Sequence, residues 1–270
     1  MLYRWKVRFL KRPRLNLLWR RWRAKQGDVL GSYDRLPEFI RNHAPGKSFA
    51  DIGCMWGVNG EYSFLAEAAG ATAVTAVDVF GPTPEFEEKR HARGSEVRFV
   101  LGDITRADAL EEIGQADVVF CAGVLYHHPS PFDLLVALRR ICRETLILRT
   151  STIPEVRGLP NAAVYFPMLD APARELWNLK SLGLLHQAGI SNEFQPQEGY
   201  GNWFWGLTPS CLESLLKTAG FRVDLRATEA FAQTVVFAAV APAHEQQLPD
   251  QMSARQLAAQ ISAAGIARPA

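Results

Sequence analysis

Two adjacent histidines, His127 and His128, are the side chains of this sequence best suited to proton transfer. They follow Tyr126 in the segment GVLYHHPSP, directly after an apolar run that predicts a buried strand. An imidazole titrates near neutral pH and can take the proton of a hydroxyl or amine group, so both histidines are candidate general bases. Tyr126 is a third catalytic candidate. In the competing interpretation, one histidine caps the following helix and the other faces solvent. Further metal ligands do not accompany the pair, so no metal site is predicted.

Three acids, Asp51, Asp78 and Asp103, each stand at the end of an apolar run that predicts a strand. A glycine-bearing turn, DIGCMWG, and a helical pattern separate the first two acids, and Asp78 lies 21 residues after Gly57. A strand, a glycine turn, a helix and a second strand that ends in an acid form the βαβ unit that binds nucleotide-like cofactors.

The turn argues against a nicotinamide cofactor. Its glycines, Gly53 and Gly57, have the spacing GxxxG, and the GxGxxG pattern does not occur. Asp51 would also repel a pyrophosphate at the end of the first strand. An acid there suits a cofactor with a positive charge, and S-adenosylmethionine (SAM) carries a sulfonium and an ammonium group but no phosphate.

From about residue 49 to 240 the sequence resembles the class I SAM-dependent methyltransferases. The turn matches the first motif of that family, Asp78 matches its ribose-binding acid, and Gly102-Asp103-Ile104 matches its adenine-side motif. The family usually has glycine where Met55 stands, so the local loop is expected to differ. The resemblance implies SAM as cofactor and a set of cofactor-binding residues: Asp51, Gly53, Cys54, Gly57, Asp78, Val79, Asp103, Ile104 and Ala122.

The GVLYH segment is similar to a narrower branch, the tRNA wobble-uridine carboxymethyltransferases and their relatives. This likeness implies that Tyr126 faces the methionine end of the cofactor, and it leaves SAM or a carboxylated SAM open. The enlarged N-terminal region of the tRNA enzymes has no counterpart in these 270 residues. The likeness therefore indicates the branch and leaves the substrate open.

Five predicted strands alternate with helical patterns up to Thr150, which indicates a parallel, doubly wound sheet. Two further strands, residues 221–225 and 233–240, are joined by a short loop and are expected to be antiparallel. We therefore predict an α/β, Rossmann-like class I methyltransferase fold. It has a seven-stranded, mostly parallel sheet with an antiparallel final strand.

The predicted domain organisation has three parts. Residues 1–30 form a basic, aromatic arm, residues 31–240 form the SAM-binding domain, and residues 241–270 form a peripheral or mobile tail. Residues 151–206 lack strand rhythm and are expected to form a lid inserted between strands five and six. Three lid residues are candidates for binding an apolar or ring-shaped acceptor, or for forming the lid's own small core: Asn202, Trp203 and Trp205.

The net charge of +2 hides a strong asymmetry, since residues 1–25 contain ten Lys or Arg and no acid. The rest of the chain carries 20 basic and 28 acidic residues, a net charge of −8. The arm is expected either to contact anionic lipid or RNA phosphates or to pack its Leu and Trp side chains on the body. Four widely spaced cysteines, without a CxxC pair, favour a reducing cytoplasm, with peripheral membrane contact as an option.

These observations predict a SAM-dependent methyltransferase that acts, at oxygen, on a small-molecule, sugar or lipid-linked acceptor. The first alternative is a tRNA- or RNA-modifying (carboxy)methyltransferase that uses the arm on phosphates. The second is a non-catalytic SAM-binding protein that associates with a membrane or a partner. The sequence leaves the acceptor atom and the oligomeric state open.

Overall fold

The structure is a computed structural model, and it describes residues 32–180, 193–229 and 233–241. Its seven helices and nine strands are, in chain order, α1 (Ser32–His43), β1 (Ser48–Ile52), α2 (Glu61–Ala68), β2 (Ala73–Asp78), α3 (Pro84–Arg93), β3 (Arg98–Leu101), α4 (Ala107–Ile113), β4 (Ala116–Ala122), α5 (Pro131–Ile141), β5 (Cys142–Ser151), β6 (Ala163–Tyr165), α6 (Ala171–Lys180), β7 (Trp205–Leu207), α7 (Pro209–Thr218), β8 (Phe221–Glu229) and β9 (Gln233–Val240). Two 3₁₀ turns span Leu125–His127 and Pro196–Gly201.

The main sheet has seven strands in the order β3-β2-β1-β4-β5-β9-β8. Strands β1 to β5 pair in parallel, whereas β9 is antiparallel to both of its neighbours, β5 and β8. This confirms the predicted fold class. The chain winds outward from β1 in one direction and from β4 in the other, so the strand order reverses between β1 and β4. Open α/β sheets bind ligands at the carboxyl edge of such a reversal.

Apolar clusters cover both faces of the sheet, so the central strands are buried on both sides, as is usual for parallel sheets. One cluster joins the sheet to α4, α5 and α7, with Leu135 and Leu212 fully buried. The other joins the sheet to α1, α2 and α3, with Phe64 and Phe86 buried at its centre. Truncating a buried phenylalanine to alanine typically costs about 3–5 kcal/mol of unfolding free energy. These clusters fix the strand ends that carry the site.

Side-chain caps begin two of the helices, α3 and α7. The Thr83 hydroxyl accepts a hydrogen bond from the Phe86 backbone N–H (3.1 Å), and Pro84 opens α3. The Thr208 hydroxyl accepts from the Cys211 N–H (3.3 Å), and Pro209 opens α7. Both caps satisfy a backbone donor that the first turn of a helix leaves without an intrahelical partner.

Residues 151–206 lie between β5 and β8, as predicted for the lid. The expectation that this stretch lacks strands is wrong, because β6 and β7 form a two-stranded antiparallel sheet. Each strand has only three residues, which is too short for an alternating pattern to be detected. A small cluster around Ile153 and Phe166 packs beneath this sheet.

The predicted arm, residues 1–30, and the tail beyond residue 241 lie outside the described residues. Within the described ranges, no helix is long and apolar enough to cross a membrane.

Candidate functional site

A cavity of about 270 Å³ opens at the carboxyl edge of the sheet, where the strand order reverses. Its walls come from the residues that follow β1, β2, β3 and β4, and from Arg149 on β5 and Tyr200 in the lid. Six of the nine predicted cofactor-binding residues line it: Gly53, Asp78, Val79, Asp103, Ile104 and Ala122. The three catalytic candidates line it as well: Tyr126, His127 and His128.

Gly53 begins the turn in a conformation that only glycine adopts without strain. Its φ is +81°, and its backbone N–H donates a hydrogen bond to the Val77 carbonyl at 2.8 Å. A Cβ at this position would lie 2.2 Å from Cγ2 of Val124, far inside van der Waals contact. The glycine therefore lets the turn approach the loop after β4, and it leaves a bare backbone on the cavity wall.

Asp78 is held in place at the end of β2 by two backbone donors. The Met55 N–H donates to Oδ2 at 2.8 Å, and the Phe80 N–H donates to Oδ1 at 2.9 Å. Burial raises the pKa of this carboxyl, and the backbone hydrogen bonds oppose that rise. A carboxylate oxygen can accept more than one hydrogen bond, so Asp78 remains able to receive a pair of ribose hydroxyls.

The family departure at Met55 has a structural explanation. The Met55 side chain is buried in the cluster that contains Phe64 and Phe86, on the side of the turn away from the cavity. Only its backbone N–H is used at the site, where it orients Asp78. A side chain at this position is therefore compatible with the turn.

Three predicted cofactor-binding residues, Asp51, Cys54 and Gly57, do not line the cavity. Asp51 is buried and accepts a hydrogen bond from the Ser63 hydroxyl of α2 at 2.7 Å. Burial raises the pKa of Asp51 to about 7, with a smaller contribution from the Asp78 charge, while the Ser63 bond opposes the rise. In this structure Asp51 joins β1 to α2, and its predicted contact with the cofactor stays a prediction.

Asp103 holds the opposite wall of the cavity and connects it to the lid. Its Oδ1 accepts hydrogen bonds from the Thr105 N–H (2.9 Å) and hydroxyl (2.7 Å), and its Oδ2 accepts one from the Tyr200 hydroxyl (2.5 Å). Burial would raise the pKa of Asp103, but the bonds from Tyr200 and Thr105 together lower it. The same bond and burial raise the pKa of Tyr200 to about 12. Tyr200 thus stays protonated as a donor, and Asp103 stays charged.

The two histidines occupy different parts of the site. The Nδ1 atom of His127 lies 2.8 Å from the Asn202 carbonyl oxygen, and its ring stacks at 5.7 Å on Trp56. His128 instead stacks at 5.5 Å on Tyr200, whose hydroxyl is bound to Asp103. His128 therefore belongs to the wall of the cavity that contains Asp103 and Tyr200.

His128 also meets the start of the next helix, as the competing interpretation expected for one of the two histidines. Its Nδ1 lies 3.0 Å from the Ser130 backbone N–H and 2.8 Å from the Ser130 carbonyl oxygen, and Ser130 precedes α5. Among the described residues, the buried Nε2 atom has no hydrogen-bond partner.

The three predicted acceptor-binding residues do not line the cavity, and their contacts are structural. The Asn202 side chain closes the 3₁₀ turn by donating to the carbonyls of Gln195 (2.7 Å) and Gly199 (2.9 Å). Trp203 packs on Tyr126 at 4.3 Å, and the Trp205 indole N–H donates to the Pro129 carbonyl at 2.8 Å. Trp203 also packs against the small cluster around Ile153 and Phe166, as the alternative of a lid core expected, whereas Trp205 packs against the main core. Acceptor binding by the three residues stays a prediction.

Several lining residues were not assigned to the site from the sequence, among them Trp56, Phe80, Arg149 and Tyr200. Trp56 is 62% exposed and packs edge-on against the half-exposed Phe80, so aromatic side chains surround the mouth of the cavity. A basic residue inside the apolar run LILRTS was a sequence signal for Arg149. Tyr200 had no comparable signal, because 97 residues separate it from Asp103.

The arrangement fits SAM and does not fit a pyrophosphate cofactor. Two carboxylates, Asp78 and Asp103, stand on adjacent strand ends where a ribose and an adenine would each find an acceptor, and both would repel phosphate. The backbone of Gly53, which no side chain covers, lies between the ends of β2 and β4, where a bound cofactor would cross the edge of the sheet. Within the described ranges, no group of three or more potential metal ligands occurs.

Comparison with known proteins supports the same fold. Residues 49–145 match a family described as "Methyltransferase domain". The structure of magnesium protoporphyrin IX methyltransferase from Synechocystis PCC 6803, with bound S-adenosylhomocysteine (SAH), aligns with a TM-score of 0.51 at 18% identity, over 82% of this chain and 93% of that one. The N-terminal domain of EvdMO1 with SAH bound aligns with a TM-score of 0.53 at 18% identity, over 79% and 83% of the two chains.

Curated relatives match about half of the chain. The tRNA U34 carboxymethyltransferase of Pseudomonas aeruginosa PAO1 is 32% identical over 148 residues, which cover 49% of this chain and 43% of that protein. The enzyme of the same name from Methylococcus capsulatus is 35% identical over 119 residues, or 42% and 35% of the two chains. The chain thus matches less than half the length of these relatives.

Proposed function

We propose that this chain is a class I SAM-dependent methyltransferase and that it methylates a hydroxyl oxygen of a small-molecule, sugar or lipid-linked acceptor. The observation that supports a hydroxyl acceptor is the hydrogen bond between His127 and the Asn202 carbonyl oxygen. A carbonyl oxygen can only accept, so the contact with Asn202 requires the proton of the neutral imidazole on Nδ1. Nε2 then carries the lone pair, which is the arrangement that a general base needs.

The surroundings of His127 favour the neutral, proton-accepting form. Burial lowers the pKa of this imidazole, although the Asn202 hydrogen bond partly opposes that effect. The ring is fixed between Trp56 (5.7 Å) and Tyr126 (4.2 Å), so its direction is set before an acceptor binds. His127 would take the proton of the acceptor hydroxyl as the oxygen attacks, and a positioned base typically contributes about 10²–10⁴-fold to the rate.

The remaining residues bind and orient the reactants. Asp78 would hold the ribose of SAM, Asp103 would face its adenine, and Gly53 would let it lie against the backbone. Bound SAM supplies an electrophilic methyl group on a sulfonium, and transfer depends mainly on placing the acceptor in line with it. Tyr126 and the aromatic mouth at Trp56 and Phe80 would exclude water on the acceptor side.

The acceptor and the base can be tested together. Cell extract fractions incubated with the protein and methyl-labelled SAM, followed by mass spectrometry, should show label in small-molecule or lipid fractions. With the acceptor in hand, His127→Ala should lower kcat about 100-fold or more at unchanged SAH affinity, measured by calorimetry. His128→Ala serves as the matched control and should weaken cofactor binding more than kcat. Full activity of His127→Ala would remove the base role.

A second candidate is modification of RNA, favoured by the 32% identity to tRNA U34 carboxymethyltransferases and by the shared GVLYH segment. In this case the label enters the RNA fraction, and tRNA binding weakens steeply with salt. Deleting residues 1–25 should then abolish tRNA binding, while SAH binding stays unchanged.

A third outcome separates catalysis from binding alone. SAH binding without label in any fraction, together with arm-dependent flotation on anionic liposomes, would indicate the non-catalytic, membrane-associated alternative. Absence of SAH binding, with Asp78→Ala indistinguishable from wild type, would refute the SAM site itself.

A further inference from the structure

A row of four residues crosses the carboxyl edge of the sheet: Asp78 on β2, Gly53 after β1, Ala122 on β4 and Arg149 on β5. The pairing of β1 with β2 and with β4 places the first three at the same level, one residue beyond the end of β1. Ala122 is paired directly with Arg149. Since neighbouring strands lie about 4.8 Å apart, Asp78 and Arg149 stand roughly 14 Å apart along this row.

The row gives the cavity two electrostatically different ends. Asp78 and Asp103 line it at the ends of β2 and β3, whereas Arg149 lines it from β5, on the other side of β1 and β4. Residues paired in register project to the same face of a sheet, so Arg149 stands beside Ala122 on the face that carries Asp78. The positively charged cofactor matches the acidic end, and a negatively charged ligand matches the basic end.

Arg149 has the properties of an anion-binding residue. It is 7% exposed and lines the cavity. Its planar donors also match the two oxygens of a carboxylate or a phosphate better than a lysine ammonium would.

We propose that the acceptor carries an anionic group, a carboxylate or a phosphate, and that Arg149 binds this group at the β5 end of the cavity. The inference rests on the proposed methyl transfer and narrows its substrate class. His127 and the mouth aromatics then act on a hydroxyl of a molecule whose anion is fixed by Arg149. Arg149 is a specificity-determining residue in this arrangement.

Three ring compounds that differ in one substituent test the proposal on the SAH-bound protein. Benzoate is the carboxylate probe, phenyl phosphate is the phosphate probe, and benzamide is the neutral control of matched shape. At ten times its Kd, a ligand that binds only the folded protein adds about 1.4 kcal/mol, or roughly 3 °C in Tm for a chain of this size. We expect a saturable rise of this order with at least one anion, at constant ionic strength, and no rise with benzamide.

Two variants test whether this rise in Tm depends on Arg149. Arg149→Met should abolish it, whereas Arg149→Lys should retain a weaker rise. Both variants should keep the SAH Kd of the wild type within about threefold. If Arg149→Met does not fold, the wild-type comparison of benzoate with benzamide and the Arg149→Lys titration still decide the question.

Several outcomes overturn the proposal. Equal effects of benzoate and benzamide, no effect of either anion, or an undiminished rise in a folded Arg149→Met protein would each refute anion recognition. A large loss of SAH affinity in both variants would assign Arg149 to the carboxylate of the cofactor instead. Failure of the proposed function is distinguishable, because SAH binding to the wild type is measured first and does not depend on the anion.

Discussion

The buried carboxyl of Asp51 should make the stability of this protein depend on pH, and the sign and size follow from its environment. Burial raises the pKa of Asp51 from 3.8 to about 7. Between these values the folded protein keeps a proton that the unfolded chain releases, so the unfolding free energy falls as pH rises. One pKa unit corresponds to about 1.4 kcal/mol, which gives roughly 4 kcal/mol over the full range and about 3 kcal/mol between pH 5 and pH 8.

The replacement Asp51→Asn isolates this contribution. An asparagine oxygen can still accept the hydrogen bond of the Ser63 hydroxyl, which is 2.7 Å from the present carboxylate, but it has no charge to bury. Asp78 also has a raised pKa and contributes a pH dependence of the same sign to both proteins. The difference between wild type and variant therefore reports Asp51 together with its smaller electrostatic interaction with Asp78.

Urea unfolding of both proteins at pH 5 and pH 8 measures the effect. The unfolding free energy of wild type relative to Asp51→Asn should fall by about 3 kcal/mol from the lower to the higher pH. Glu88→Gln, at an exposed acid on α3, is the control and should parallel wild type. Equal pH dependence of wild type and Asp51→Asn would refute the assignment of a buried, protonated carboxyl at this position.

Two further predictions concern the cavity wall. Gly53→Ala should weaken SAH binding, measured by calorimetry, at least about tenfold, because its Cβ would meet Val124 and the positive φ costs about 1–2 kcal/mol. Adding Val124→Ala removes the clash but not the backbone strain, so it should recover only part of the lost affinity. Tyr200→Phe removes the hydroxyl donor to Asp103, so amide hydrogen exchange of residues 196–201 should accelerate by about tenfold or more. An unchanged exchange rate would show that this hydrogen bond does not hold the lid.

The sheet is largely predictable from the sequence, because its central strands are continuous apolar runs between clear turns. Strand β9 has the predicted bounds, residues 233–240. Strand β8 is longer than predicted and reaches Glu229 instead of residue 225. It is an edge strand, and polar residues such as Asp224 and Arg226 tolerate that position, so their presence did not mark the end of the strand.

The same physical difference separates the site residues that the sequence predicts from those that only the structure shows. Asp78 and Asp103 were identifiable because they end strands, and all parallel strands place their carboxyl ends at one edge. The role of Asp51 was less predictable, because its side chain contacts Ser63 on α2. Contacts with the lid depend on where a long connection returns to the sheet, and neither periodicity nor spacing encodes that. The position of Tyr200 against Asp103 is therefore visible only in the structure.

The DIGCMWG turn explains why the resemblance survives the replacement of a glycine by methionine. Each position of the turn has a separate requirement: Gly53 needs the missing Cβ, Met55 supplies a backbone donor to Asp78, and Trp56 supplies a ring that stacks on His127. Glycine is favoured at Gly53, where a Cβ would meet Val124, and at Gly57, whose φ is +73°. At Met55 the side chain turns into the core, so the position contributes burial in addition to its N–H. One turn thus orients Asp78, the acid proposed to hold the ribose, and packs against the candidate base, which links the two halves of the proposed reaction.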